Sequence, residues 1–96
     1  MKHKLFITDE AKREIQTEFD WYEEQLTGLG DRLLLSIDEA LEIIIDYPYG
    51  FPIRRKDYHE CLIDGFPYLI IYRVVDRKII VHQLFHIKRR PGKKVK

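Results

Sequence analysis

His86, Arg89 and Arg90 close the last apolar run of the sequence, Ile79-Ile80-Val81-His82-Gln83-Leu84-Phe85-His86-Ile87. An imidazole that titrates near neutral pH, beside guanidinium forks that pair with phosphate oxygens, can hold a phosphate and move a proton. Arg73, on the preceding apolar run, is a third candidate phosphate clamp, and Lys93 and Lys94 add cations on the tail. Tyr68 and Tyr72 could stack on a base, or face a partner together with His82. Each has a plainer alternative. His86 could cap a strand end, Arg73 could be a solvated strand residue, the tail could serve solubility, and the two tyrosines could belong to a core. His3, His59, His82 and His86 lack metal-ligand spacing, so no metal site is expected. Nucleotide loops, nucleophile elbows and Cys–His pairs are absent from the sequence, so no cofactor is expected.

A formal net charge of +1 conceals a strong asymmetry. Residues 1–50 hold five Lys/Arg and twelve Asp/Glu, whereas residues 51–96 hold twelve and four. The halves thus carry −7 and +8, and a cationic half of this size points to a polyanionic partner. Ninety-six residues make one domain, 1–96, with a basic C-terminal tail over 88–96. One cysteine, Cys61, allows no internal disulfide and fits a reducing compartment. No apolar run reaches membrane-spanning length, and the N-terminal apolar stretch is too short for a secretion signal. The expectation is a cytoplasmic protein with no membrane partner.

The elements that must position these residues follow from periodicity. Residues 3–7 read as a short strand. Thr8 or Asp9 can cap a helix over about 9–26, with Ala11, Ile15, Phe19, Tyr22 and Leu26 along one stripe. Thr27-Gly28-Leu29-Gly30 stops it. Asp31 can cap a second helix to residue 47, with Leu33, Leu34, Ile37, Leu41, Ile44 and Ile45 as its apolar side, and Pro48 ends it. Pro48-Tyr49-Gly50-Phe51-Pro52 reads as a connector. Residues 58–63, 66–75 and 79–87 read as strands, separated by Asp64-Gly65 and by Asp76-Arg77-Lys78. The predicted fold is α+β: an N-terminal strand, an antiparallel helical hairpin, then a three-stranded antiparallel meander.

Two helices cover one face of a small sheet. Strict alternation puts Phe66, Tyr68, Ile70, Tyr72 and Val74 on one face. It likewise groups Ile80, His82, Leu84 and His86 against Ile79, Val81, Gln83 and Phe85. Apolar residues then lie on both faces, so a partner or a homodimer is expected to cover the face that lacks helices.

Trp21-Tyr22, Gly28-Leu29-Gly30, Pro48, Phe66-Pro67-Tyr68, Tyr72, and His86 with Arg89, Arg90 and Pro91 form an ordered set over nearly the whole chain. It resembles the RelE/ParE superfamily of toxins from bacterial type II toxin–antitoxin systems, which includes plasmid stabilisation proteins. The resemblance implies a helical hairpin on a curved sheet, a cognate antitoxin that wraps the toxin, and growth arrest when the antitoxin is lost. It implies one of two targets. ParE-like members inhibit DNA gyrase; RelE-like members cut mRNA on the ribosome. The Trp-Tyr pair and Phe-Pro-Tyr look closer to ParE. Relatives often carry an arginine near the position of His59, a weaker holder of phosphate at neutral pH.

If the chain is an enzyme, the reaction is metal-independent RNA cleavage by 2′-hydroxyl attack. His86 would then be acid or base, and Arg73, Arg89 and Arg90 would stabilise the phosphorane. One histidine leaves the second proton transfer to the ribosome or substrate. The expected activity is therefore gyrase inhibition, with ribosome-dependent mRNA cleavage and non-toxic nucleic-acid binding as the alternatives.

Overall fold

Thr8 sets the start of the first helix. In the computed structural model, which describes residues 3–88, its Oγ1 accepts a hydrogen bond from the Ala11 N–H at 3.1 Å. Asp9 and Glu10 add negative charge to the first turn, where the helix dipole favours it. Helix α1 runs Asp9–Gln25 and α2 runs Leu29–Asp46. Five strands complete the fold: β1 Lys4–Ile7, β2 Ile53–Arg55, β3 Tyr58–Leu62, β4 Tyr68–Val75 and β5 Lys78–His86.

The joint between the helices departs from expectation. Asp31 does not cap α2, which begins two residues earlier. Gly28 stands before it at φ +91°, a left-handed conformation that suits glycine, and donates no side-chain cap. Glu23 of α1 supplies the cap instead. Its carboxylate accepts from the N–H groups of Gly28, Gly30 and Asp31 at 3.0, 2.7 and 3.4 Å. One anion thus satisfies several of the donors that a helix N-terminus leaves without partners. Gly30 lets α2 approach α1, since a Cβ there would lie 2.8 Å from the Phe19 carbonyl oxygen.

Leu33, Ile37, Ala40, Leu41 and Ile44 of α2 are buried with Ala11 of α1 against Cys61, Ile63, Tyr68, Ile70, Tyr72, Ile79, Val81 and Leu84. This is one core between a helical layer and one sheet face. Leu26, expected on the α1 stripe, lies beyond the helix and is exposed.

The sheet order is β1-β5-β4-β3-β2. β1 pairs parallel to β5, and the other neighbours are antiparallel, so the sheet is mixed. β2 is a strand the sequence reading missed; three residues with a bulge carry almost no periodic signal. β4 begins at Tyr68 rather than Phe66. Pro67 has no N–H to donate to a ladder, and pairing resumes where the Ile63 N–H meets the Tyr68 carbonyl at 3.1 Å. The β4–β5 turn takes two residues, Asp76 and Arg77, with Asp76 at φ +58°.

A bulge in β5 changes which side chains share a face. Tyr72 pairs with Val81, but Ile71 pairs with Gln83, so His82 is an extra residue. An inserted residue reverses the alternation beyond it. Leu84 and His86 therefore join Ile79 and Val81 on the helix side. Ile80 and His82 join Gln83 and Phe85 on the far side. The strict alternation expected for β5 is corrected accordingly. The far face is also not an open apolar sheet, because Ile71 and Phe85 at its centre are 1% and 3% exposed.

Beyond the end of β1, the β5 backbone is held by α1 and its cap. The Leu84 N–H donates to Glu14 Oε1 at 2.9 Å, and Thr8 Oγ1 donates to the His82 carbonyl at 3.4 Å. A sheet edge that could pair with another chain is thereby covered.

Candidate functional site

The sequence-predicted residues separate into three places. The first is the C-terminal end of β5. His86 stands opposite Tyr68 in the register, and the rings meet edge to face with centroids 5.0 Å apart. Tyr22 packs edge-on against Phe66 at 5.2 Å and Tyr68 at 6.3 Å, and Trp21 against Tyr22 at 4.9 Å. The Tyr68 hydroxyl donates a short hydrogen bond to Glu18, a carboxylate only 3% exposed. Burial, followed by the bond to Glu18, pushes the Tyr68 phenol far above the usual tyrosine range. The Lys88 N–H donates to His86 Nδ1 at 3.1 Å, which makes that nitrogen an acceptor. The Pro67 carbonyl accepts from the Ile87 N–H at 3.0 Å. Three sequence-distant pieces thus form one aromatic cluster at the end of β5. Glu18 was missed by sequence reasoning. Its signal was a carboxylate on the apolar stripe, three residues after Ile15 and four before Tyr22.

The second place is the far face at the opposite end of the sheet. Arg73 Nε donates to His82 Nε2 at 3.1 Å. Its guanidinium lies 6.0 Å from the Tyr58 ring centre and a loose 4.0 Å from Asp57 Oδ2. Tyr58 and His82 meet edge to face at 5.4 Å. Burial and then the Arg73 charge lower the His82 pKa, with Asp57 and Glu10 opposing.

The third is internal. His59 is 4% exposed, bonds through Nδ1 to the Phe51 carbonyl at 2.7 Å, and stacks on Tyr72 at 4.9 Å. The Tyr72 hydroxyl donates to the Pro48 carbonyl at 2.7 Å. Burial pushes the Tyr72 phenol well above its ordinary value. His59 is a core residue, and its side chain is not presented to a phosphate. Tyr68 and Tyr72, expected on an antitoxin or target face, are both 0% exposed, with their rings in the core. The apolar character that made them candidates for that face is what buries them. His82 alone of that group lies partly open on the far side.

Arg73 and His86 do not converge. Arg73 is five residues along β4 from Tyr68, the partner of His86, which is about 16 Å at the rise of a strand. They also lie on opposite faces, so they cannot grip one phosphate. Arg89, Arg90, Lys93 and Lys94 lie outside the described residues. Among the described residues no cluster of three or more His, Cys, Asp or Glu is arranged to hold a metal ion. No helix among them is long and apolar enough to cross a membrane.

Residues 5–91 match the profile of the ParE toxin of the type II toxin–antitoxin system parDE. The chain belongs to the ParE toxin family. The match spans the helical joint, the aromatic cluster and the end of β5. In structure, this ParE-family chain is similar to a chain of the chromosomal ParDE toxin–antitoxin system from P. aeruginosa, with a TM-score of 0.78. The two are 15% identical, and the likeness covers 88% of this chain and 95% of that one. It shows a shared α+β fold with two helices on a mixed sheet. No curated protein matches the sequence significantly.

Proposed function

We propose that this ParE-family toxin of a type II module arrests growth by binding and inhibiting DNA gyrase, without hydrolytic chemistry of its own. The observation that carries the reading is the separation of Arg73 from His86, with His59 removed to the core. RNA cleavage needs an acid, a base and fixed cations around one phosphate. The described residues instead hold His86 in an aromatic cluster and Arg73 on a different face. A binding mechanism asks only for a surface, and Arg89, Arg90, Lys93 and Lys94 follow His86 directly in the sequence. A cognate antitoxin, as in the P. aeruginosa ParDE system, would restrain the toxin in the cytoplasm.

The test compares His86→Ala with the joint Arg89→Ala and Arg90→Ala change, scoring growth arrest, gyrase supercoiling and message integrity separately. The arginine pair should abolish both arrest and supercoiling inhibition, since two charged contacts of roughly 1.5–3 kcal/mol each are lost. His86→Ala should weaken arrest only in part. Cut messages produced by the parent chain and lost in a folded His86→Ala variant would replace the gyrase reading with ribosome-dependent mRNA cleavage.

A further inference from the structure

We infer that the end of the sheet formed by the β2–β3 and β4–β5 turns is a binding surface for the phosphodiester backbone of a nucleic acid, separate from the cationic tail. This goes beyond the gyrase reading and does not require it. The charge asymmetry of the sequence does not collect in one place. β5 ends at His86, at one end of the sheet. The other end gathers Arg54 and Arg55 of β2, Lys56 of the next turn, Arg73 of β4, Arg77 of its turn, Lys78 of β5 and Lys4 of β1. The register fixes this gathering: Arg55 pairs with Tyr58, Tyr58 lies level with Arg73, and Lys4 pairs with Lys78. Against seven cations, the same segments hold two carboxylates, Asp57 and Asp76, and Glu60 of β3 lies beside Arg54.

Backbone geometry sets the row. Five strands at about 4.8 Å spacing place these residues across about 19 Å. A nucleic-acid strand presents a charge every 3.4 Å or so of axis, so about five phosphates per strand face a row of that width. Four of the seven cations are arginines, whose forks match phosphate oxygens. The bulge in β2 lies at Arg54, between the paired residues Ile53 and Arg55, and turns Arg54 toward Glu60, Leu62 and Leu69 on the far face. Arg73 is held by His82 and the Tyr58 ring, so it reaches the surface from a fixed base. Six of the seven are exposed and Arg73 is partly so. A protein partner is the less suited occupant. The centres of protein interfaces are depleted of charge and built on apolar anchors, whereas here the exposed aliphatics Ile53 and Val75 flank the row.

The experiment measures binding of the full chain to a labelled mixed-sequence duplex DNA and to a single-stranded RNA by fluorescence anisotropy, between roughly 50 and 200 mM salt. Binding to either nucleic acid should fall with salt at a log–log slope of about −3 to −4, as for about four phosphate contacts. The two arms tell which strand form supplies the backbone. The Arg54→Ala, Arg77→Ala, Lys78→Ala triple variant should bind at least about tenfold more weakly at the low-salt end, with a slope shallower by about 2–3. The single changes Arg54→Ala and Arg77→Ala should each flatten it by about one, which keeps the test decisive if the triple variant is unstable. The Lys93→Ala, Lys94→Ala variant should keep the row's share of the slope. The inference is overturned if the parent binds neither probe, if the row variants match the parent, or if only the tail variant loses binding. Competition by polyglutamate as effective as that by nucleic acid would also overturn it, in favour of an acidic protein partner. Gyrase inhibition plays no part in these readouts, so they can fail or succeed independently of the target proposed above.

Discussion

Gly30→Ala sets two effects of opposite sign against each other. In a helix interior alanine is favoured over glycine by about 0.8–1 kcal/mol. Gly30 is the second residue of α2, so propensity alone predicts stabilisation of at most that size. Packing predicts the reverse. A Cβ at this position would lie 2.7 Å from Glu23 Cγ, 2.8 Å from Phe19 Cδ1 and 2.8 Å from the Phe19 carbonyl oxygen. The two side-chain atoms can rotate away, but the carbonyl belongs to the α1 backbone and yields only if the helices separate. Overpacking of this kind costs about 1–3 kcal/mol. Separation would also stretch the Glu23 bonds to the N–H groups of Gly28, Gly30 and Asp31. The propensity gain offsets part of the overpacking cost and the stretched bonds add to it, so the expected net effect is a loss of about 1–2 kcal/mol, or about 4–16 °C in Tm for a domain of this size. Urea and thermal unfolding followed by circular dichroism measure it. Placing the change in a Glu23→Ala background should reduce its cost without removing it, because the Phe19 carbonyl remains. A Gly30→Ala protein that melts above its parent would refute the packing argument, and strict additivity with Glu23→Ala would refute the shared joint.

Ile37→Ala and Ile44→Ala should each cost about 2–5 kcal/mol, since both side chains are buried in the core between α2 and the sheet; losses within about 0.5 kcal/mol in urea titrations would contradict that packing. Tyr68 and Tyr72 have folded pKa values raised above the unfolded value of about 10, and burial pushes the Cys61 thiol from 9.0 to about 11. Their contribution is complete below the unfolded values and is lost as pH rises toward the folded ones, so Tm should hold to about pH 9 and fall above it. A flat Tm through about pH 11 would count against it, and Tyr72→Phe should make the alkaline fall shallower. His82 has a lowered folded pKa, so its contribution is present above about pH 6.5 and declines as pH falls below it; His82→Gln should flatten the dependence of Tm on pH on that acid side, and an unchanged acid slope would remove His82 as its source.

Local features were legible from the order of residues alone. The apolar stripe of α2, a cap at Thr8 or Asp9, the stop within Thr27-Gly28-Leu29-Gly30 and the break at Pro48 each depend on residues within a turn or two of one another, where propensity and period are decisive. The residue order also determined that the chain is acidic in one half and basic in the other. Tertiary structure decided what depends on pairing between distant segments. The extra residue at His82 is invisible to a period-two reading, yet it moves Leu84 and His86 to the helix side and His82 to the other. Glu23, rather than Asp31, caps α2, because the cap is chosen by the proximity of α1 and not by sequence neighbourhood. Tyr68 and Tyr72 were candidates for a recognition face, and His59 stood where relatives often hold phosphate with an arginine, but the sheet turns all three into the core, where their polar atoms find Glu18, the Pro48 carbonyl and the Phe51 carbonyl. The basic half was legible as charge; the meeting of its Arg55 and Lys78 with Lys4 of the acidic half was not, because only strand order brings them to one end of a sheet.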